Sequence, residues 1–329
     1  MTGPCVRVDP SEGEATRQTL ASADLVDDGR EITVADGWLY VPVTDPDAVP
    51  DDLADAVVDF DAPQREPQTT PADLLDWDPS YERLGDVVIV DEDDPERARA
   101  LADAVMASDL PVETVLNRAS KIKGQERVRD WEVLVGDSTE TVHTEYGTDL
   151  AVDLAEVFFS PRLATERHRV AEQVQPGEHA LDMFAGVGPF AIPFAERGAE
   201  VVAVDVNEIA IDYLRANAER NGVADRVTTI CGDVREVVED YAGWADRIVM
   251  NLPHSADEFL DAAVELAGDE CVLHYYDIAH EDDPYGPGEA AIHAAAEPAY
   301  AVEVLTRRTV RSYAPHELNV VLDVGLTRA

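Results

Sequence analysis

A regular alternation of strand-like and helix-like segments in the C-terminal half of the chain limits the folds open to it. The first apolar run, over 179–184, leads through a glycine loop into a helix predicted over 189–197, which Gly198 ends. Strands that alternate with helices in this way form a parallel sheet covered on both faces. The other strands are predicted over 200–206, 227–231, 247–251, 271–278, 302–309 and 319–326. We therefore predict an α/β fold with a mostly parallel, seven-stranded sheet.

The N-terminal half of the chain is predicted to hold two smaller α+β domains. Residues 45–71 contain five prolines, eight acidic residues and one arginine, a composition typical of a linker. Apolar runs and one helical stretch then form a second mixed unit up to about residue 161. Boundaries at these points divide the chain into domains over 1–71, 72–161 and 162–329.

Acidic residues dominate the surface chemistry expected of this chain. Asp and Glu number 69 against 25 Lys plus Arg, a net charge of −44, while 45% hydrophobic residues supply material for packed cores. Only two of the basic residues are lysines, as in proteins of salt-accumulating archaea, where molar salt shortens the screening length to about 3 Å. The charge therefore indicates a habitat rather than a partner, and it does not exclude nucleic acid.

Cysteine spacing and hydropathy exclude other classes of protein. The three cysteines are far apart and show no CxxC spacing, so we expect neither a disulfide framework nor a metal site. No apolar run approaches the ~20 residues that span a bilayer. We expect a cytoplasmic monomer that has no contact with a membrane.

Carboxylates stand at the ends of three consecutive predicted strands. Asp182 precedes the loop that contains Gly186 and Gly188, Asp205 ends the second strand, and Asp233 follows the third. A carboxylate at the second position can accept hydrogen bonds from both hydroxyls of a ribose. The glycine spacing also fits a dinucleotide fingerprint, so an NAD-dependent dehydrogenase is an alternative. Because Asp182 would repel a pyrophosphate but attract an amine and a sulfonium, the loop favours S-adenosylmethionine.

The residues predicted to bind this cofactor lie at these three strand ends and, for Asn251, at the end of the fourth predicted strand. They are Asp182, Phe184, Gly186, Gly188, Asp205, Val206, Asp233, Val234 and Asn251. Each acid alone could instead be a turn residue or a helix cap, and Asn251 could cap a helix that begins near Ala256. Their joint position around one crevice favours the cofactor.

Four motifs make the chain resemble the archaeal tRNA (guanine-37-N1)-methyltransferases. They are DMFAGVGPF at 182–190, FSPRLATER at 159–167, MNLP at 250–253 and VRSYAP at 310–315. The resemblance implies a Rossmann-like class I methyltransferase domain that transfers a methyl group from S-adenosylmethionine to the guanine 3′ of the anticodon. It also implies a tRNA partner, bound at its anticodon loop and, through the N-terminal domain, at its elbow. An aminocarboxypropyl transferase of wybutosine synthesis and a non-catalytic RNA-binding protein are the alternatives.

The resemblance assigns three residues to catalysis. Glu166 matches the general base that removes the proton from guanine N1, since the N1 lone pair of neutral guanine is unavailable for attack. Arg127 aligns with the arginine that stabilises negative charge on O6, although Glu126 replaces the usual aromatic before it, so Arg129 stays an alternative. Asn251 matches the residue that hydrogen-bonds the guanine edge.

An ion pair on one helical face is the competing interpretation of Glu166. Arg162 lies four residues before it and Arg169 three residues after it, and such spacings place side chains next to one another on a helix.

Basic residues cluster in spite of the overall negative charge. Five of them lie between Arg118 and Arg129, with a single acid among them, as phosphate contact requires. The residues predicted to bind tRNA are Arg162, Arg167, Lys121, Lys123 and Arg129. No metal site is predicted, and a loosely bound Mg²⁺ stays an open alternative.

Overall fold

The computed structural model describes residues 2–65, 68–120, 124 and 129–329. Contacts between them separate the chain into two units, Met1–Thr69 and Thr70–Ala329. The predicted site residues Lys121, Lys123 and Arg127 lie outside the described residues.

The first unit is a four-stranded antiparallel sheet with two helices. Its elements are β1 (Gly3–Val8), α1 (Gly13–Ser22), β2 (Thr33–Ala35), β3 (Trp38–Pro42), α2 (Asp51–Ala54) and β4 (Val57–Phe60). The strand order is β2-β3-β1-β4. Buried apolar side chains, including Val6, Leu20 and Val41, form the core that stabilises this small unit.

The prediction that 45–71 is a linker is wrong for its first part. Strand β4 pairs with β1, with Val58 opposite Cys5, and the ring of Phe60 stacks on Tyr40 with centroids 3.8 Å apart. Val57 packs instead against the other apolar cluster of this unit. Side chains alternate between the two faces of a strand, so three apolar residues make a strand here in spite of the acids around them.

The second unit begins with a mixed four-stranded sheet and a hairpin. Its elements are β5 (Tyr81–Leu84), β6 (Val87–Val90), α3 (Pro95–Ala107), β7 (Thr114–Arg118), β8 (Trp131–Val135), β9 (Glu140–Glu145) and β10 (Thr148–Asp153). The sheet order is β5-β6-β7-β8, and β9 pairs with β10. Helix α3 begins where Asp94 accepts hydrogen bonds from the first free backbone N–H groups. Its apolar face, with Leu101 and Val105, packs on Val88 and Val115.

A seven-stranded sheet forms the rest of the second unit. Its strands are β11 (His179–Asp182), β12 (Glu200–Asp205), β13 (Val227–Cys231), β14 (Ala245–Met250), β15 (Ala267–His280), β16 (Tyr300–Ala314) and β17 (Glu317–Arg328). The order is β13-β12-β11-β14-β15-β17-β16, parallel from β13 to β15 and antiparallel at β17 and β16. This sheet confirms the predicted Rossmann-like class I methyltransferase fold.

Six helices accompany this sheet. They are α4 (Ala164–Ala171), α5 (Ala191–Glu196), α6 (Glu208–Arg220), α7 (Val234–Tyr241), α8 (Leu260–Leu266) and α9 (Gly286–Ala296). The buried amide of Asn217 on α6 accepts from Ala151 N at 2.7 Å and donates to Ala151 O at 3.0 Å. These two hydrogen bonds attach β10 to α6, a helix of the large sheet. They thereby place the segment that follows β10 beside the strand ends. Among the described helices, none is both long and apolar enough to cross a bilayer.

Candidate active site

A cavity of about 210 Å³ opens where the parallel strands end. Seven of the predicted site residues line it: Phe184, Asp205, Val206, Asp233, Val234, Asn251 and Arg167. Doubly wound sheets bind ligands at this edge, because the loops after neighbouring strands diverge there. The residues predicted from their positions at the strand ends therefore do lie around one cavity.

Gly186 and Gly188 shape this cavity without lining it. Gly186 adopts a φ of +51° and donates its N–H to Asp205 Oδ2 at 2.7 Å, which links the first two strand ends. Gly188 adopts a φ of +94°, and a Cβ there would lie 2.9 Å from Ile192 Cδ1. Glycine is therefore required at both positions by backbone conformation, and at Gly188 also by helix packing. The structure gives both residues a role in building the loop.

Asp182 is buried directly behind the cavity wall. Its side chain is 1% exposed, Oδ1 accepts from Phe184 N at 3.3 Å, and Oδ2 has no hydrogen-bond partner in the described structure. Burial raises the pKa of this carboxyl to about 7, against the opposing Phe184 hydrogen bond and with help from the charge of Asp205. A buried carboxylate with an unused oxygen can receive a cationic group.

Asp233 is both the residue that caps helix α7 and a residue that lines the cavity. It accepts from Arg235 N at the start of α7 and forms an ion pair with the Arg235 guanidinium at 2.5 Å. The hydrogen bond from Arg235 lowers the pKa of this carboxyl. Asp233 is therefore a helix cap and, at the same time, part of the cavity wall.

An aromatic pair completes the apolar wall. Phe184 contacts Phe259 edge to face with ring centroids 5.0 Å apart, and both rings line the cavity. Phe259 was not predicted, because an isolated aromatic residue in a helical stretch of sequence gives no signal that separates a binding wall from a core.

Three buried polar atoms on the cavity lining have no hydrogen-bond partner in the described structure. They are Oδ1 of Asn251, Oδ1 of Asn319 and Nε of Arg311. The helix-cap alternative for Asn251 is wrong, because the short helix that follows begins after Ser255. Buried polar atoms are normally paired, so unpaired ones around one cavity indicate a polar ligand. Asn319 was not predicted as a site residue, because it lies on a strand whose sequence carries no motif of its own.

Glu166 lies outside the residues that line this cavity. Its side chain is 3% exposed and accepts hydrogen bonds from Arg169 Nη2 at 2.7 Å and from the Tyr276 hydroxyl at 3.0 Å. Arg308 Nε lies 3.3 Å from Oε2. Of the ion-pair alternative, the Arg169 contact is correct, but Arg162 pairs with a different acid, Glu82.

A second cavity, of about 120 Å³, adjoins the first and carries positive charge. Arg118, Arg129, Arg162 and Arg311 line it, and Glu82 is the one acid among its described lining residues. Burial and the nearby Arg118 charge lower the pKa of Arg129. Arg118 Nε is buried without a hydrogen-bond partner in the described residues. Glu82 pairs with both Arg118 and Arg162, and Asp91 pairs with Arg118, so the four guanidinium groups outnumber these acids and the surplus positive charge is suited to an anion.

Arg167 forms a buried, bidentate ion pair with Glu145. Its guanidinium is 4% exposed and donates to both carboxylate oxygens of Glu145, at 2.5 and 2.9 Å, and to Ser160 O at 2.9 Å. A phosphate contact would require this pair to open. The arrangement fixes the backbone of Ser160 on the cavity rim.

Fold and site together define a class of enzyme. A seven-stranded sheet with this order, a glycine loop after its central strand and carboxylates at successive strand ends is the architecture of the class I methyltransferases. Within the described ranges, no three His, Cys, Asp or Glu side chains come together as a metal site.

Comparison with known proteins narrows the class to one family. Residues 141–305 match the TRM5/TYW2 methyltransferase domain, residues 5–50 the tRNA methyltransferase 5 N-terminal domain, and residues 67–139 the TYW2 N-terminal domain. The chain belongs to the TRM5/TYW2 methyltransferase family.

Individual relatives in this family differ in how much of the chain they match. The tRNA (guanine(37)-N(1))-methyltransferase Trm5b of Pyrococcus abyssi is 38% identical over 97% of both chains. A tRNA(Phe) (4-demethylwyosine(37)-C(7)) aminocarboxypropyltransferase of Pyrococcus horikoshii is 35% identical over 75% of this chain and 89% of its own. A solved complex of aTrm5 with tRNALeu superposes with a TM-score of 0.72 at 30% identity, over 98% of this chain and 99% of that one.

Proposed function

We propose that this chain transfers a methyl group from S-adenosylmethionine to N1 of guanine 37 in tRNA. The observation that carries the proposal is the cavity with its three unpaired polar atoms, in a chain that resembles a guanine-37 methyltransferase over its full length. The substrate must offer hydrogen-bond donors to two amide oxygens and an acceptor to one guanidinium N–H.

The cofactor half of the cavity fits S-adenosylmethionine. Asp205 would hold the ribose hydroxyls, and Phe184, Val206 and Phe259 would enclose the adenine. Asp182, buried with an unused oxygen, would receive positive charge. When bound, S-adenosylmethionine supplies an electrophilic methyl group.

The second half of the cavity fits the Watson–Crick edge of guanine. That edge carries the N2 amino group and the O6 acceptor on either side of N1–H. Asn251 and Asn319 offer two acceptors for the amino group and Arg311 offers one donor for O6, which leaves N1–H for the base. An anticodon-loop base can be splayed into such a pocket at less cost than a paired one.

Glu166 is the proposed general base and Arg127 the proposed O6 partner. The N1–H bond would break and its proton would pass to the Glu166 carboxylate. The electron pair left on N1 would form the bond to the methyl carbon while the carbon–sulfur bond breaks and its electron pair stays on the sulfur of S-adenosylhomocysteine. A guanidinium beside O6 stabilises the charge that develops on the ring. Since both Glu166 oxygens are engaged in this structure, one must be released before it can take a proton.

The arginine-lined cavity is the proposed site for RNA phosphates. Arg129 and Arg162 line it together with Arg118 and Arg311, next to the base pocket. In the sequence, Lys121 and Lys123 lie in the basic stretch between Arg118 and Arg129. We further propose that the first unit contacts the tRNA elbow and that a cytoplasmic monomer performs the reaction.

The related aminocarboxypropyl transfer is the second candidate, and the first unit argues against it. The relative with that activity matches 75% of this chain, whereas the methyltransferase matches 97%. Residues 5–50 match the N-terminal domain of tRNA methyltransferase 5.

Two labelled cofactors test the proposal. A tRNA transcript with guanine 37 is incubated with S-adenosylmethionine labelled either in its methyl group or in its carboxyl group. We expect only methyl label to enter the RNA and none to enter a transcript with adenine at that position. Transfer of carboxyl label, or equal labelling of both transcripts, would contradict the proposal.

A further inference from the structure

Glu166 is held from two sides that differ in burial. Tyr276 and Arg169 approach from inside the protein, and Arg308 approaches from its surface. Tyr276 is fully buried, whereas the Arg308 side chain is 48% exposed. The two sides therefore differ in how easily they can release the carboxylate.

On the inner side, a series of hydrogen-bonded and ion-paired side chains extends from Arg169 to Arg247. Arg169 donates to Asp323 at 2.6 Å, Asp323 faces His274 Nδ1 at 2.7 Å, and His274 Nε2 faces Arg247 Nη1 at 2.8 Å. A guanidinium can only donate, so Nε2 accepts and Nδ1 carries the proton. Burial lowers the pKa of His274, in keeping with a neutral ring. This continuous series fixes Arg169 and, through it, one side of Glu166.

The outer side is a single exposed contact. Arg308 lies on β16, the edge strand of the sheet, and in the described part of the chain Glu166 is the one carboxylate with which it pairs. Three residues further along the strand, Arg311 lines both cavities. Ion pairs with an exposed partner are weak, and a phosphate forms strong charge-assisted hydrogen bonds with a guanidinium.

We infer that Arg308 is a positioning residue that pairs with Glu166 Oε2 on the side that Arg169 Nε leaves open, until an RNA phosphate draws the Arg308 guanidinium away. Glu166 and the phosphate then compete for one cation, and RNA binding opens the side of Oε2 that Arg308 occupied, while Arg169 keeps the carboxylate in place. The inference rests on the proposed role of Glu166 as the base. It explains why a proton acceptor is fully engaged in the protein without RNA.

A thermodynamic cycle on tRNA affinity tests this competition without measuring turnover. In Glu166→Gln the competing charge is gone, so we expect tRNA to bind about three- to tenfold more tightly, measured with S-adenosylhomocysteine present. In an Arg308→Gln background the same substitution should give no gain. Arg307→Gln is the matched control, since Arg307 is also half-exposed but pairs with Glu289, and the gain should persist there.

Two results would overturn the inference. One is an unchanged tRNA affinity in Glu166→Gln, and the other is a gain that persists in the Arg308→Gln background. Should Glu166→Gln not fold, Arg308→Gln alone is decisive: we expect KM for tRNA to rise about tenfold with kcat retained, and Arg308→Lys to restore KM. A fall in kcat, or no change in either constant, would refute the inference.

These outcomes separate the inference from the proposed base. Full turnover by Glu166→Gln would remove Glu166 as the base, whatever the binding cycle gives. Lost turnover without the coupled change in affinity would leave the base in place and remove only the competition with Arg308.

Discussion

Asp182 allows a prediction whose size follows from the structure. Its carboxyl is buried with one oxygen unpaired, and its pKa is raised from 3.8 to about 7, mainly by burial. Each unit of pKa corresponds to about 1.4 kcal/mol, so keeping this group ionised costs on the order of 4 kcal/mol in the folded state. Between about pH 4 and pH 7 the folded protein therefore binds more protons than the unfolded chain, and its stability falls as pH rises.

Asp182→Asn removes the ionisation and keeps the shape. The wild-type protein without cofactor should lose about 3 kcal/mol through this group between pH 5 and pH 8, and the variant should not. At pH 8 we expect the variant to be more stable by roughly 1–3 kcal/mol, because its unpaired amide offsets part of the gain. The same variant should bind S-adenosylmethionine more weakly, since the carboxylate that faces positive charge is gone.

Urea unfolding at constant salt measures this difference. Three of the four tryptophans, Trp77, Trp131 and Trp244, lie in the second unit, so their fluorescence follows the unit that contains Asp182. At each pH, the unfolding free energy of the wild-type protein is subtracted from that of the variant. The contributions of all other titrating groups then cancel. A difference in unfolding free energy that is the same at pH 5 and pH 8 would refute the assigned ionisation.

Three further predictions concern the site. Glu166→Gln should lower turnover by about 10²–10⁴-fold with cofactor affinity nearly unchanged, and single-turnover assays with calorimetry check both; an equal loss of cofactor binding would contradict the role as base. Asp205→Ala should weaken cofactor binding by tenfold or more, because the strand-end carboxylate for the ribose is lost, whereas unchanged calorimetric affinity would place the ribose elsewhere. Arg127→Ala should lower kcat/KM by about 10²–10³-fold, because the charge that stabilises O6 is lost. A larger defect in Arg129→Ala would show that Arg129, not Arg127, stabilises O6.

The fold was predictable because its signals are local. Asn207 caps the N-terminus of helix α6, because its side chain accepts from Ile209 N and Ala210 N, and the helix ends before Gly222, which adopts a φ of +70°. Such caps mark helix ends in the sequence itself. All seven strands of the large sheet were predicted from the short apolar runs that lie between turn residues and helices. Strand β4 was missed, because its pairing with β1 is a distant contact and its acidic surroundings are typical of a linker.

The candidate site was predictable where residues follow strands and not where they depend on tertiary contacts. Asp205, Asp233 and Asn251 occupy strand ends, and all three line the cavity. Neither the burial of Glu166 in a network with Tyr276 nor the unpaired oxygen of Asn319 has a local signal, because both arise from strands far away in sequence.

Mass spectrometry of the nucleosides from a modified tRNA transcript tests the central proposal most directly. After incubation with the protein and S-adenosylmethionine, digestion should release 1-methylguanosine, and fragment mapping should place it at position 37. An aminocarboxypropyl-modified nucleoside, a methyl group on another guanine atom, or 1-methylguanosine at another position would contradict the account.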